Sequence, residues 1–380
     1  MRTPGLVVFV FASLIAGCGG EPPPASTDGG SGDGGGGGAV DLGFATAPHE
    51  PLPQVTTHTT PVFTTPQLVT ITFDGYPFKD TVERLGDFYT GSSWLTAVGA
   101  EYGVTAVTHA GKVSLGAAPA TLTEAALVTQ LKAAMGGMLP APSATNAQLI
   151  YMVYVPRTTK FTDSFNAVMC TDDYLGYHGH DMANGVTFAF AVIGDCNADV
   201  ADVTSTASHE LIEAATDPED AIYIDPPDSD PWSGMYATEV ADLCEDLPNV
   251  SEGGFALQRS WSNRAAMGGG SPCVPVPAND VYRGVSPSPA TVPTVRAGGS
   301  TVITLTGWST APSAPWDLFT SVETNSDFDP MIDLSATTIG NGTTVTATLH
   351  VPAGTMAGKY ATVLVYSDGG TYWPLTIVAE

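Results

Sequence analysis

Val186-Thr-Phe-Ala-Phe-Ala-Val-Ile193, followed by the span Asp202 to Ala215 with Ser208-His209-Glu210-Leu211-Ile212-Glu213 inside it, decides how this chain is read. The first stretch is a near-continuous apolar run of strand length, the mark of a strand covered on both faces. The second carries helical spacing and is stopped by Asp217-Pro218. The same alternation extends upstream. Leu68-Val-Thr-Ile-Thr-Phe73 alternates like a strand, and Asp80 to Tyr102 has helical spacing around Val82, Leu85, Phe88 and Tyr89. Thr121 to Met135 reads as a helix opened by Thr121-Leu-Thr-Glu124 in capping-box form. Leu149-Ile-Tyr-Met-Val-Tyr-Val155 is a second apolar strand. Strand, helix, strand, strand, helix over 53–277 implies an α+β or α/β domain.

Residues 281–380 change character. Val302 to Thr306, Leu318 to Val322, Thr344 to Val351, Tyr360 to Tyr366 and Tyr372 to Val378 are short strands separated by Gly, Pro, Ser and Asn. This predicts an all-β antiparallel sandwich. Val351-Pro-Ala-Gly-Thr-Met-Ala-Gly-Lys-Tyr360 resembles the hairpin of bacterial Ig-like modules, and no chemistry is expected there.

The N-terminus reads as an address. Arg2 precedes Leu6 to Ala16, a run without charge that is too short to span a bilayer and fits a secretory signal. Ile15-Ala16-Gly17-Cys18 resembles the lipobox of bacterial lipoproteins. The resemblance implies cleavage of residues 1–17, lipidation of Cys18, and attachment to the membrane through that lipid only. Gly19 after the Cys implies the outer membrane or cell surface of the bacterial envelope. Residues 18–52, rich in Gly and Pro, are expected to form a flexible tether.

Removing Cys18 leaves Cys170, Cys196, Cys244 and Cys273, an even number in an oxidising compartment. Three pairings are possible. Cys170–Cys196 and Cys244–Cys273 are favoured, because each closes a loop of about 25 to 30 residues around the candidate site. A Cys-based zinc site is disfavoured by the lack of any C-x-x-C spacing.

Lys plus Arg total 12 against 39 Asp plus Glu, a net charge of −27. Such a surface repels phosphate backbones, so nucleic acid is excluded as a partner. A hydrophobic fraction of 43% is ample for packed cores, whereas 42 Gly and 30 Pro exclude a mostly helical bundle. The charge is uneven. No Lys or Arg occurs between Lys160 and Arg259, while 20 of the 39 acidic residues fall there. General acidification for solubility is the bland account; compensation by a bound cation is the sharper one.

On a helix, His209 and Glu213 share one face and can hold one metal, while Glu210 lies about 100° around and can act as general base. This is the arrangement of H-E-x-x-H zinc peptidases with Glu in place of the second His. A third ligand is expected from Glu239-Val-Ala-Asp242-Leu-Cys244. Glu239 and Asp242 both qualify if that stretch is helical, with Thr238 as its cap. One imidazole and two carboxylates form a hard, negative donor set, suited to Zn²⁺ and also to Mn²⁺ or Ca²⁺.

His209-Glu-Leu-Ile-Glu-Ala-Ala-Thr-Asp-Pro218, Trp232, Tyr236, Glu239-Val-Ala-Asp-Leu-Cys244, Gln258-Arg-Ser-Trp-Ser-Asn263 and Cys273 occur in that order. The set resembles the Exordium or phosphate-induced protein family of plants and its bacterial secreted relatives. Those proteins carry a comparable H-E-x-x-E helix, an E-I-G-D-x-C segment and a W-S-N stretch leading to a Cys. Cys170 followed by Gly176-Tyr-His178 also fits, so the resemblance covers Leu149 to Pro277. The chain departs from it at Ala241, where relatives have Gly, and in an acidic insertion from Asp220 to Asp230. With Asp225, Asp228 and Asp230 among prolines but no EF-hand spacing, that insertion is expected to be a surface loop.

The resemblance implies a zincin-like metallopeptidase-type domain more than any named substrate. His178 and Tyr236 are expected close behind the metal ligands, with His180 set aside. Two functions follow: a zinc-dependent peptidase acting on peptide or cell-surface substrates through Glu210, or a non-catalytic surface binding or structural protein. A monomer is expected.

Overall fold

The computed structural model describes residues 44–380 apart from 173, 220, 228, 229, 292, 324, 325, 369 and 370. The signal peptide, Cys18 and the tether up to residue 43 lie outside the described residues, as do Asp220 and Asp228 of the acidic loop. The architecture is mixed α+β and mostly strand.

The first half is organised by a five-stranded sheet. Its strands are β1 (Gln67–Thr72), β2 (Thr108–Ser114), β3 (Leu149–Val155), β4 (Gly176–Ala183) and β5 (Val186–Gly194). Their spatial order is β2-β1-β3-β5-β4, parallel throughout except for the antiparallel edge strand β4. β3 and β5 are apolar at successive positions because both sheet faces are covered. Tyr151, Val153, Phe188 and Phe190 pack with Leu127 and Leu131 of the helix Glu124–Ala134 on one side. Ile150, Met152, Ala189 and Ile193 join Val203, Ala207 and Leu211 of the helix Val200–Thr216 on the other.

The helices are α1 (Lys79–Tyr89), α2 (Ser93–Gly99), α3 (Glu124–Ala134) and α4 (Val200–Thr216). Two differ from the expectation. The span from Asp80 to Tyr102 breaks at Gly91, whose φ of +87° suits glycine, and Ser92 restarts it by accepting from the Leu95 N–H at 3.1 Å. The helix expected from Thr121 starts at Glu124, because Thr121–Thr123 pairs as a short strand with Lys160–Thr162; Thr123 is the cap. Helix α4 begins at Val200, capped by Asp199.

Both favoured disulfides are formed. Cys170–Cys196 and Cys244–Cys273 have sequence separations of 26 and 29. In the chain-entropy account each contributes about 3–4 kcal/mol.

The second half holds seven longer strands: β6 (Arg283–Ser288), β7 (Ser300–Ser309), β8 (Trp316–Val322), β9 (Met331–Leu334), β10 (Thr344–His350), β11 (Tyr360–Ser367) and β12 (Thr371–Ala379). One sheet runs β6-β7-β10-β9; the other places β12, β11 and β8 between the short strands Thr294–Val295 and Thr338–Ile339. The second sheet is not purely antiparallel as expected, since Thr294–Val295 runs parallel to β12.

The halves share one buried cluster, joined where Trp232 meets Trp373 with ring centroids 4.7 Å apart. Residues 44–52 are docked rather than free. His49 stacks on Trp308 at 3.9 Å, Ala47 N–H donates to Asn341 and Glu50 N–H to Ser286. The tether expected through residue 52 is therefore ordered over its last residues. Asp230 is the cap of a 3-10 turn, Pro231–Met235, accepting from the Trp232 N–H at 2.9 Å. Among the described residues, no helix is long and apolar enough to cross a membrane.

Candidate metal centre

Helix α4 lies across β5 and the edge strand β4 with its last two turns fully enclosed, so side chains it turns toward β4 leave water. Gly176 permits the close approach. A Cβ there would stand 2.6 Å from Thr206 Cγ2 and 3.0 Å from Glu210 Oε1. Two residues along β4, His178 faces the helix, with Nδ1 3.6 Å from a Glu210 oxygen and 3.8 Å from Glu213 Oε2. Its Nε2 stands 3.6 Å from Glu239 Oε2.

His209 Nε2 lies 2.8 Å from Glu213 Oε2 and 3.5 Å from Asp242 Oδ1. These distances form two groups able to hold a cation, His209–Glu213–Asp242 and His178–Glu210–Glu213. The first is nearly buried; the second is wholly so. Of the two third-ligand candidates, Asp242 joins His209, whereas Glu239 faces His178 instead. The stretch that bears them is not an α-helix. It turns as a 3-10 segment, Asp242–Cys244, with Ala241 rather than Thr238 at its cap, so the two carboxylates diverge. Tyr236 is not at the cluster either: it is exposed and packs edge-on against Tyr223, at 6.0 Å between centroids. His178, expected at the periphery, is central, and His180 is exposed.

The orientation of the ligands is set from behind. Gln258 N–H donates to Ser208 Oγ at 2.8 Å, and its side-chain Nε2 donates to the Ala241 carbonyl at 2.8 Å. Its Oε1 is thus an acceptor and faces His209 Nδ1 at 3.0 Å. Nδ1 therefore carries the proton, and Nε2 meets Glu213 and Asp242. Glu213 Oε1 accepts two backbone N–H groups, from Ala241 and Asp242, both at 3.1 Å, which leaves Oε2 for the imidazoles. Asp242 Oδ2 accepts from Glu239 N–H at 3.1 Å. Gln258 has no role legible from the sequence, since nothing in its own neighbourhood in the chain points to His209.

The electrostatics are severe. Burial, followed by the Asp242 charge, pushes the Glu213 carboxyl up to about 7 against the pull of His209. Burial and then the Glu213 charge hold Glu239 well above the usual carboxylate range, and neither of its oxygens has a hydrogen bond. Glu245 is raised by burial and by Asp242. Burial pulls the His178 imidazole down, but Glu210 and Glu213 outweigh it, to about 8. His209 rises well above its usual value against the same burial, driven first by Glu213. Without a cation, protons must hold these groups together. A cation would do so without them.

No family model matches the chain, and no curated protein matches it. Among solved structures, the surface layer protein SbsC, domains 1-6, is 13% identical over 26% of this chain and 13% of its own, with a TM-score of 0.21. A Bacteroides ovatus GH5 xyloglucanase in complex with a XXXG heptasaccharide is 16% identical over 26% of this chain and 19% of its own, with a TM-score of 0.17. The chain thus spans less than a fifth of either structure.

Proposed function

We propose that this chain is a zincin-like, metal-dependent hydrolase of the bacterial cell envelope, related to Exordium-type secreted proteins and acting on peptide bonds. It is held to the outer membrane or cell surface by lipid on Cys18, with an Ig-like module at 281–380 as a spacer. His209, Glu213 and Asp242 would hold a divalent cation, Zn²⁺ or a harder ion such as Mn²⁺. The observation that carries the reading is the fixed tautomer of His209: Gln258 occupies Nδ1, so the Nε2 lone pair faces two carboxylates. A lone pair opposite two anions is repulsive unless a cation or an extra proton lies between them.

A bound divalent ion supplies Lewis acidity, polarising a carbonyl and easing deprotonation of water. The residues of the chain do the rest. Gln258 orients His209, the backbone at 241 and 242 orients Glu213, and Glu210 accepts the proton from water as general base. Glu210 is 3% exposed and stands one residue along α4 from His209, beside that ligand group and outside it.

The test is Glu210→Gln. The expected result is loss of peptide hydrolysis with the cation at His209 retained. A metal-loaded wild type that cleaves nothing across a broad peptide library would instead favour the second reading, a non-catalytic surface binding or structural protein. One observation favours that alternative: a cavity of about 430 Å³ lies elsewhere, between residues 50–54 and Trp232 and Trp373, and none of the cluster's residues lines it.

A further inference from the structure

The chemistry around α4 exceeds what one cation needs. Glu210, Glu213, Glu239 and Asp242 bring four buried carboxylates close to the two imidazoles, with Asp217 buried at the end of α4, but the ligand group of His209 uses only Glu213 and Asp242. Among the described residues, His178, Glu210 and Glu239 have no Lys or Arg in contact; their ion pairs run between imidazole and carboxylate. Glu239 is the decisive residue. It is 1% exposed, neither oxygen has a hydrogen bond, and Oε2 points at His178 Nε2 from 3.6 Å. A fold that satisfies Gln258, Glu213 Oε1 and Asp242 Oδ2 so fully, a few residues away, leaves this carboxylate without a hydrogen bond among the described residues, beside an imidazole and other carboxylates.

We infer that the chain binds two divalent cations side by side. The second would be held by His178 Nδ1, Glu210 and Glu213, with Glu213 Oε2 shared between the two ions. This rests on the proposed function, because it takes the His209 group as the first site. Donors bonded at about 2.1 Å to one tetrahedral ion stand about 3.4 Å apart. The spacings from His178 to Glu210 and Glu213, 3.6 and 3.8 Å, lie close to that value.

Glu213 can bridge in only one way. Its Oε1 is tied to two backbone N–H groups, whereas Oε2 stands 2.8 Å from His209 and 3.8 Å from His178. Glu239, behind the ring of His178, would accept the Nε2 proton and direct Nδ1 at the ion, as carboxylates commonly do behind metal-bound histidines. Two divalent ions would neutralise the four carboxylates; one would leave half the charge buried. Glu210 binds through one oxygen and keeps the other as proton acceptor, so its proposed role in hydrolysis is unchanged.

The experiment loads the full chain with Zn²⁺ or Mn²⁺, removes loose ions by desalting, and counts metal by plasma mass spectrometry. The Mn²⁺ form is also examined by electron paramagnetic resonance. Ions sharing one ligand, about 3.5–4 Å apart, give an exchange-coupled spectrum, which ions scattered over an acidic surface do not. Two equivalents with a coupled spectrum are expected. His178→Ala should leave one equivalent and an isolated-ion spectrum, with His178→Gln as the substitute if the alanine variant does not fold. One equivalent in the wild type, or two without coupling, overturns the inference and leaves the His209 site standing. No retained metal of either kind overturns both.

Discussion

Gln258 and Arg259 are neighbours in the chain, yet they serve two buried polar clusters built on opposite principles. Arg259, 2% exposed, is closed on itself: Nε and Nη2 donate to the Cys273 carbonyl at 3.0 and 2.7 Å, Nη2 to Ser271 at 2.9 Å, and Nη1 to Asp280 at 3.2 Å. One charge meets one opposite charge and neutral acceptors. The α4 cluster gathers four carboxylates around two imidazoles and leaves Glu239 without a hydrogen bond. Structure alone requires the first kind of arrangement. The second stays costly until something positive joins it.

The contrast is broken or sharpened most strongly by pH. In the metal-free protein the folded state holds protons that the unfolded chain has released. Glu213 is raised from 4.5 to about 7, so its contribution is present at low pH and lost as pH rises through 7. His178 is raised from 6.5 to about 8; its contribution is complete below 6.5 and lost as pH rises through 8. Stability should therefore fall between pH 4.5 and 8, by about 1.4 kcal/mol per pH unit for each proton held only in the folded state. Saturating Zn²⁺ should flatten or reverse the slope, because the ion replaces those protons. Thermal unfolding at a series of pH values, with and without metal, reads both; a flat metal-free profile would contradict the account.

Arg259→Ala comes next. It opens a closed cluster and should cost about 3 kcal/mol in urea unfolding with the disulfides intact. Metal content and the pH slope should not change, since no group of the α4 cluster touches Arg259. If metal were lost with the folded protein intact, the two clusters would not be independent.

Gln258→Ala acts on the α4 cluster from the neighbouring residue. It frees His209 to rotate and to carry its proton on either nitrogen, so metal affinity should fall by about 10- to 100-fold. Competition with a chelating dye measures this. An unchanged affinity would mean that Gln258 does not set the tautomer.

These residues also mark how far the sequence was legible. The strands β3 and β5 and helix α4 could be read because their apolar periods are long and uninterrupted; the spacing of the cysteines favoured the pairing that forms without deciding it. His209, Glu210 and Glu213 came with the helix. The rest depended on relations the chain does not carry locally. His178 is central only because β4 returns antiparallel at the sheet edge beside α4, a matter of strand order. Glu239 and Asp242 parted because the backbone tightens into a 3-10 turn there, where helical spacing no longer holds. Tyr236 lay close in sequence to those ligands and still faces away, packed on Tyr223.

The smallest effect is the sharpest in sign. Glu239→Gln keeps the shape of the side chain and removes a charge that burial and Glu213 already disfavour. Below about pH 4, where the carboxyl is protonated in the folded and the unfolded chain alike, the metal-free variant should match the wild type. At pH 8 it should be more stable by at least about 1 kcal/mol, because only the wild type must ionise a buried group or keep it protonated against the solvent. A polar-to-polar change that stabilises at one pH and is silent at another cannot come from lost packing. Removing Arg259, the charge whose hydrogen bonds are all made, weakens the fold; removing the charge of Glu239, whose oxygens have no hydrogen bond among the described residues, should strengthen it. If Glu239→Gln instead destabilised the metal-free protein at pH 8, the carboxylate would have a partner of its own, and the α4 cluster would be closed in the same way as the one around Arg259.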